Sequence, residues 1–427
     1  MIQRYSGVRE SSEGSRERGM EGFRVLSVSE WYAPVFSGVA IRLARFNRRM
    51  RRCGRVRAKV LTRTVSGEPR RAVLEGTPIE RVPLHLNILE RSSGFKLVLR
   101  VVLLAGFVLE CMLRLRAALR RNQDRFDILH AYVLSWFSIL SLPLAKRLGK
   151  RTILEITLDG GMMDSLQSGS RSPVERLRRW AISHADRIVT HSPYISRLAV
   201  LGGLPVEAVR EYPNPVDIDR YCPADGEVRN ALRRKTGIRQ DARVLLFVGG
   251  ITERKGVDTL LDAFGILSKS HPDVLLILAG PTDKYEPRFF HSLKDRIRRS
   301  CLDDKVMFTG KRVENVEDFM RASDIFVFAS RHEGFGTVIV EAMACALPVV
   351  VKRIPWITEY QIEHGRDGMI VRSDRPEDFA LAVDRLLADS DLAGRIGRAA
   401  RQTAVSRFSS SVVDRAVLSL YKELTQA

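Results

Sequence analysis

Apolar and polar positions divide this 427-residue chain into two halves with one rhythm. Short runs of Val, Ile, Leu and Phe alternate with longer amphipathic stretches. In the first half, Arg24 to Ser29, Arg57 to Thr62, Phe126 to Ala131, Thr152 to Ile156 and Arg187 to Thr190 predict strands, and Val39 to Arg52 predicts a helix. In the second, Val244 to Val248, Val274 to Ala279, Val306 to Phe308, Asp324 to Ala329 and Val349 to Val351 predict strands with helices between them. The runs are continuous rather than alternating, as strands buried on both faces require. Strands alternating with helices predict a parallel sheet covered on both sides, here formed twice. Tyr212-Pro213-Asn214-Pro215 breaks the rhythm, because each proline disfavours helix at the residue before it. The expected organisation is therefore an extension over 1–21, a first domain over 22–213, a second over 214–408, and a C-terminal piece over 409–427 built on a helix near Ser411 to Leu424.

Phe95 to Arg121 fits this pattern less simply. Val101 to Leu109 is continuously apolar but is bounded by Arg100 and Glu110. A membrane-spanning helix needs about 20 apolar residues, so this run is too short. Arg114, Arg116, Arg120 and Arg121 follow it. A basic helix with a broad apolar side suits either a core helix or one lying at a membrane surface.

Composition adds two constraints. Five cysteines (Cys53, Cys111, Cys222, Cys301 and Cys345) are scattered, with no C-x-x-C pair. They suggest neither a disulfide framework nor a structural zinc site, and a reducing, cytoplasmic setting fits them. The net charge of +20 is lopsided: residues 1–220 hold 38 Lys+Arg against 21 Asp+Glu. Arg42 to Arg71 alone carries twelve basic residues and one acid, Glu68. A solvated arginine-rich face is one reading of that block; an anionic membrane surface or lipid-pyrophosphate acceptor is the other. Nucleic acid is not expected as a partner, since no nucleic-acid motif or interleaved aromatic pattern accompanies the charge. The first twenty residues are polar and lack the apolar core of a signal peptide. They are expected to be disordered, and Met20 is an alternative start.

The run Glu333-Gly334-Phe335-Gly336-Thr337-Val338-Ile339-Val340-Glu341 carries the most chemistry. It lies between a predicted buried strand and a helix expected over Thr337 to Ala346, with Thr337 as its cap. Open α/β sheets bind ligands where a strand's C-terminal end meets a helix N-terminus. Gly334 and Gly336 let backbone N–H groups approach a ligand closely, and the helix start favours negative charge. Glu333 in the loop and Glu341 one turn into the helix cannot share a face, so they are expected to hold two different parts of one ligand.

This run resembles the E-x7-E signature of the retaining glycosyltransferases called group 1 or family four. Further segments are similar: Glu341-Ala342-Met343-Ala344 with Pro348-Val349-Val350, Asn214-Pro215-Val216-Asp217, Phe247-Val248-Gly249 followed by Lys255-Gly256-Val257, and Arg24-Val25-Leu26 with Pro34 and Gly38. The resemblance runs from about Gly22 to the C-terminus. It implies a GT-B architecture, two Rossmann-like doubly wound domains facing a cleft, with the last helix returning to the first domain. It implies a nucleotide-sugar as co-substrate and no further cofactor. Lys255 would meet the leaving diphosphate, with Gly249, Gly250 and Arg254 beside it. Glu333 would contact a hydroxyl of the donor sugar; Gly334, Phe335, Gly336 and Thr337 would line the donor; Glu341 would accept from the ribose. Gly38 would lie in a first-domain loop near the transferred phosphate, or be a plain turn glycine.

Several positions depart from the family pattern. Gly250 stands where an arginine is usual, and Arg254 is the candidate substitute. Asp159, in Thr157-Leu158-Asp159-Gly160, replaces a histidine that meets the donor sugar and is a candidate catalytic residue. Pro355-Trp356-Ile357-Thr358-Glu359 replaces a G-G-x-x-E run, so that loop is expected to take another conformation. Ala346 also stands where glycine is usual. His130 and His191 fall near strand ends expected to face the cleft, with a structural role the alternative. No metal site is expected: Asp217-Ile218-Asp219 has D-x-D spacing but belongs to the linker.

The expected function is a metal-independent retaining glycosyltransferase of cell-surface polysaccharide or glycolipid biosynthesis. Its acceptor would be a glycan or a polyprenyl- or lipid-linked intermediate, and the protein would touch an anionic membrane peripherally at its inner face. An inverting or epimerising relative with Asp159 as base is a second enzymatic reading. A non-catalytic relative that binds a sugar nucleotide or tethers a partner at the membrane is the alternative from another class. A nicotinamide-binding protein is disfavoured, because no G-x-G-x-x-G follows the first strand of either half.

Overall fold

A computed structural model describes residues 22–33, 38–85, 97–157, 172–282, 286–310 and 315–426. The predicted extension over 1–21, Met20, Pro34 and Asp159 lie outside the described residues. The chain divides into two compact units. One comprises residues up to His191, Ile195–Tyr212 and Val417–Ala427; the other comprises Ser192–Tyr194 and Pro213–Ala416.

The first unit is built on eight strands: β1 (Phe23–Ser29), β2 (Val56–Arg63), β3 (Arg71–Leu74), β4 (Thr77–Val82), β5 (Ile128–Tyr132), β6 (Arg151–Ile156), β7 (Arg187–Thr190) and β8 (Val209–Glu211). Their order across the sheet is β3-β4-β2-β1-β5-β6-β7-β8. Every pairing is parallel except β3 with β4. The helices are α1 (Gly38–Arg52), α2 (Leu97–Asn122), α3 (Trp136–Lys146), α4 (Pro173–Ile182) and α5 (Pro193–Leu201).

The β3–β4 hairpin is absent from the sequence reading, for a physical reason. Its strands alternate exposed and half-buried residues or carry the buried charges Glu80 and Arg81, so no apolar run marks them. Its turn, Glu75-Gly76, has both residues at positive φ, 48° and 78°. That is the backbone a two-residue hairpin needs to match strand twist. The hairpin and its neighbours also dissolve the basic block Arg42 to Arg71 as a single surface. Arg42 pairs with Glu155, Lys59 with Glu80 at 2.8 Å and Arg63 with Glu30 at 3.5 Å, while Arg51, Arg52, Arg55, Arg70 and Arg71 stay exposed.

The second unit carries β9 (Arg243–Val248), β10 (Val274–Ala279), β11 (Val306–Phe308), β12 (Ile325–Phe328), β13 (Val349–Lys352) and β14 (Met369–Val371). All are parallel, in the order β11-β10-β9-β12-β13-β14. Numbered within the unit this is 3-2-1-4-5-6, the Rossmann order. The three-residue β8 and β14 are absent from the sequence reading. The helices are α6 (Gly226–Thr236), α7 (Val257–Ser270), α8 (Pro287–Arg299), α9 (Val316–Ala322), α10 (Thr337–Ala344), α11 (Thr358–Gln361), α12 (Pro376–Ala388) and α13 (Ser390–Thr403). The core is continuous from Val244 through Phe326 and Phe328 to Val349–Val351, all buried. Helix α14 (Ser410–Gln426) begins in this unit and ends in the first.

Candidate functional site

Strand order in the second sheet reverses between β9 and β12, whose pairing is Ile325 with Leu245 and Phe326 with Leu246. From that point, one chain direction leads outward through β10 and β11, the other through β13 and β14. The loops leaving β9 and β12 therefore diverge and open a crevice at the carboxyl edge, the place where open α/β sheets take ligands. Lys255 follows β9 and Glu333 follows β12. The fold brings together two residues 78 positions apart.

Lys255 closes a short 3-10 turn, Glu253–Lys255, ahead of α7. Gly256 then has φ 66°, and a Cβ on it would lie 2.0 Å from the carbonyl oxygen of Ala329. Only glycine permits that approach, which draws the β9 loop onto the end of β12. The Lys255 Nζ donates to Glu333 Oε1 at 2.5 Å and stands 5.3 Å from the Phe328 ring centroid. Ser330 Oγ donates to the same oxygen at 2.8 Å. Arg254 donates to the His332 carbonyl at 2.6 Å, its guanidinium 3.5 Å from Glu333 Oε1. Two cations thus converge on one buried carboxylate, and all these contacts fall on Oε1. Among the described residues Oε2 accepts none, so it can accept from a ligand hydroxyl. Gly249 lies alongside: a Cβ there would be 3.8 Å from Lys255 Cε. Gly250 follows it, and Ile251 N–H donates to the Pro281 carbonyl at 3.0 Å.

Gly336 caps α10, with φ 76°. Thr337 is not the cap expected from the sequence. Its Oγ1 accepts from Asn214 Nδ2 at 3.2 Å, so it ties the linker to the helix start instead. Phe335 is buried, its ring edge-on to Phe408 at 6.1 Å, and it anchors the loop while Gly334 stays half-buried. Glu341 is half-buried on α10. Close to it lies Arg220, which the sequence reading missed. Burial lowers the Arg220 pKa, but Glu317, bonded to it at 2.8 Å, and then Glu341 raise it above its ordinary value.

Other expected site residues are placed differently. Gly38 belongs to the first unit and opens α1 rather than sitting in a loop; an added Cβ there would meet nothing within 4 Å. His130 and His191 do not line an open edge. Both are buried, around Glu155 on β6, which the sequence did not single out. His130 Nδ1 lies 2.9 Å from the Tyr421 hydroxyl, and His191 Nδ1 is 2.8 Å from the Tyr212 carbonyl. Burial pushes the Glu155 carboxyl up, yet Arg42 and the two histidines outweigh it and hold the group well below the usual carboxylate range. This is a structural charge cluster joining α1, β5, β6 and α14. Pro355-Trp356 follows β13. Trp356 has φ 65°, so the backbone keeps a left-handed residue where the glycine would stand. Ala346 does the same after α10, at φ 59°.

A family model described as glycosyl transferases group 1 matches residues 228–403, and one described as Glycosyltransferase Family 4 matches 36–220. Mannosylfructose-phosphate synthase of Agrobacterium fabrum is 30% identical over 227 residues, 52% of this chain and 49% of that protein. D-inositol 3-phosphate glycosyltransferase 2 of Catenulispora acidiphila is 34% identical over 250 residues, 56% of each. The chain thus spans about half the length of these curated relatives. Among solved structures, Anabaena HepE in complex with UDP superposes with a TM-score of 0.74 at 18% identity, covering 94% of this chain and 100% of that one. Sucrose-phosphate synthase from Thermosynechococcus elongatus gives 0.71 at 18%, covering 94% and 99%. These likenesses show the GT-B fold.

Proposed function

Because the chain belongs to the group 1, family four glycosyltransferases, we propose that it is a metal-independent retaining enzyme moving a sugar from a nucleotide-sugar to a glycan or lipid-linked acceptor. The observation that carries this reading is the Lys255–Glu333 pair at the switch point of the second sheet, with Glu341 on the helix that follows. Breaking the bond between sugar C1 and phosphate oxygen loads negative charge onto the leaving diphosphate, and fixed cations stabilise it. Lys255 supplies one. Arg254, beside Glu333, supplies the charge that Gly250 cannot. Glu333 Oε2 holds a sugar hydroxyl and Glu341 the ribose; a carboxylate suits both, because it offers several lone pairs to vicinal hydroxyls. The acceptor oxygen bonds to C1 on the face the phosphate leaves, and its proton passes to the departing phosphate oxygen. No protein nucleophile is needed. We place the activity in cell-surface polysaccharide or glycolipid assembly, in the cytoplasm at the inner membrane face. Five unpaired cysteines support a reducing compartment, and exposed apolar and basic residues of α2 support membrane contact.

Glu341 gives the direct test. A hydrogen bond to a charged group contributes roughly 1.5–3 kcal/mol, so Glu341→Ala should weaken binding of the preferred nucleotide-sugar by about tenfold to a hundredfold. Calorimetry against UDP-, GDP- and ADP-sugars measures it. Unchanged affinity in the folded variant would remove Glu341 from the ribose site.

A further inference from the structure

Trp356 stands in a turn that ought to carry glycine. Ile354-Pro355-Trp356-Ile357 is closed by Ile357 N–H donating to the Ile354 carbonyl at 3.1 Å. Proline is second and the left-handed residue third, the arrangement of a type II turn, whose third position favours glycine because φ is positive. Here that position holds the largest side chain available, at φ 65°. The flanks do not release it. Ile354 and Ile357 are buried, Thr358 Oγ1 bonds both the N–H and the carbonyl of Ile354, and Glu359 accepts the Trp356 N–H at 3.1 Å while holding Arg353 at 2.5 Å. Between the buried Ile354 and Ile357, Trp356 remains 53% exposed.

The place is as informative as the strain. β13 is the parallel neighbour of β12, in register from Phe326 with Val349 to Phe328 with Val351. The turn leaving β13 and the loop leaving β12 therefore emerge side by side at the carboxyl edge. Gln361, on the helix after the turn, fastens them together: its Nε2 donates to the Phe335 carbonyl at 2.6 Å. A flat aromatic face thus lies on the same edge as Glu333, held there at a conformational cost. Strained residues persist where the surroundings over-determine them, and they cluster at ligand sites.

We propose that Trp356 is a saccharide platform that determines specificity, its indole stacking on the apolar C–H face of a pyranose whose hydroxyls are held by polar groups at this edge. An aromatic face and a few placed polar groups are how binding sites commonly combine affinity with orientation. The proposal rests on the nucleotide-sugar reading for its location, and the pyranose could be the donor's or the acceptor's.

The 427-residue chain labelled with 5-fluorotryptophan has four fluorine signals, one for each Trp, and Trp356→Phe assigns the one at issue. A shift of that signal with UDP-, GDP- or ADP-hexose but not with the matching diphosphate identifies the donor's sugar. A shift with methyl glucoside or maltotriose, added with or without diphosphate, identifies an acceptor subsite. No shift with any saccharide, or an equal shift with diphosphate alone, overturns the proposal. Should no nucleotide bind at all, the nucleotide-sugar reading falls, and the free-saccharide arms still decide Trp356. Trp356→Gly adds a readout that a merely structural tryptophan would not give. It should bind the responding saccharide about tenfold more weakly, the scale of one aromatic contact. Diphosphate affinity should stay unchanged, and Trp356→Phe should retain most saccharide binding. A lower melting temperature together with full saccharide affinity would make the residue structural.

Discussion

Lys255 reaches Glu333 only because the residue after it has no side chain. The Gly256 contact with the Ala329 carbonyl sets how closely the β9 loop approaches the β12 end, and the ammonium then bridges to Glu333 Oε1 at 2.5 Å. At this scale much of the site was legible. The spacing of Glu333 and Glu341, the glycines between them and the Lys255-Gly256 pair were all visible as residues. Arg220 was not, because it meets Glu341 only through the packing of the linker, and nothing at position 220 marks it. Trp356 was visible as a departure, but its left-handed backbone at φ 65° was not, because a tryptophan at that position gives no sign of a positive φ. The role proposed for Lys255 predicts a particular kinetic signature. Charge on the diphosphate is greatest in the transition state, so removing its partner costs turnover more than ground-state binding. Lys255→Ala should lower kcat by about a hundredfold or more, the scale of losing one oxyanion donor, while donor affinity falls less. Steady-state kinetics at saturating donor check this. Unchanged kcat would pass the role to Arg254.

Among the elements, the β3–β4 hairpin shows where apolar pattern fails as a guide. The parallel strands were readable because both of their faces are buried, which demands continuous apolar runs. β4 instead buries a carboxylate. Glu80 accepts from Lys59 on β2 at 2.8 Å, from Arg121 on α2 at 2.8 Å and from Asn122 at 3.1 Å. Polar residues in such a strand read as surface until their partners, 21 to 42 positions away, are known. Burial pushes the Glu80 carboxyl up, but the hydrogen bonds from Lys59, Arg121 and Asn122 prevail and set its pKa at about 2. A carboxyl depressed in the folded state contributes stability that is fully present above its unfolded pKa of about 4.3 and lost as pH falls toward the folded value. The loss between about pH 4.5 and 2 should approach 3 kcal/mol, at ~1.4 kcal/mol per pKa unit. Urea unfolding followed across that range should show the midpoint falling with acidification, and falling less steeply in Glu80→Gln. Equal slopes would mean that other carboxylates dominate the acid response.

For the whole molecule, the net charge of +20 sits mainly in the first 220 residues, and ion pairs within the fold decide which basic residues are neutralised locally. Arg42, Lys59 and Arg63 are tied to acids within the fold. The exposed basic residues include arginines at the end of α1 and on the outer side of α2. On α2 the buried side is Phe107, Val108, Cys111, Leu115, Ala118 and Leu119, whereas Val102, Leu109 and Leu113 are 59–60% exposed. Arg114, Arg116 and Arg120 are exposed on the same helix. One side of this segment therefore packs as a core helix does, and another presents apolar residues beside cations. No helix among the described residues is long and apolar enough to cross a membrane. Each basic residue near an anionic surface contributes about 1 kcal/mol, screened within a Debye length, and inserted leucines add a part that salt does not screen. The 427-residue chain should sediment with phosphatidylglycerol vesicles and stay free of phosphatidylcholine vesicles at low salt. High salt should release only part of it. Leu109→Glu with Leu113→Glu should convert that to complete release, because the unscreened part is gone. Replacing Arg114, Arg116 and Arg120 with glutamine should instead abolish the preference for anionic lipid. If the leucine pair leaves salt release unchanged and the arginine set leaves lipid preference unchanged, α2 is not the membrane face, and its exposed residues are ordinary protein surface.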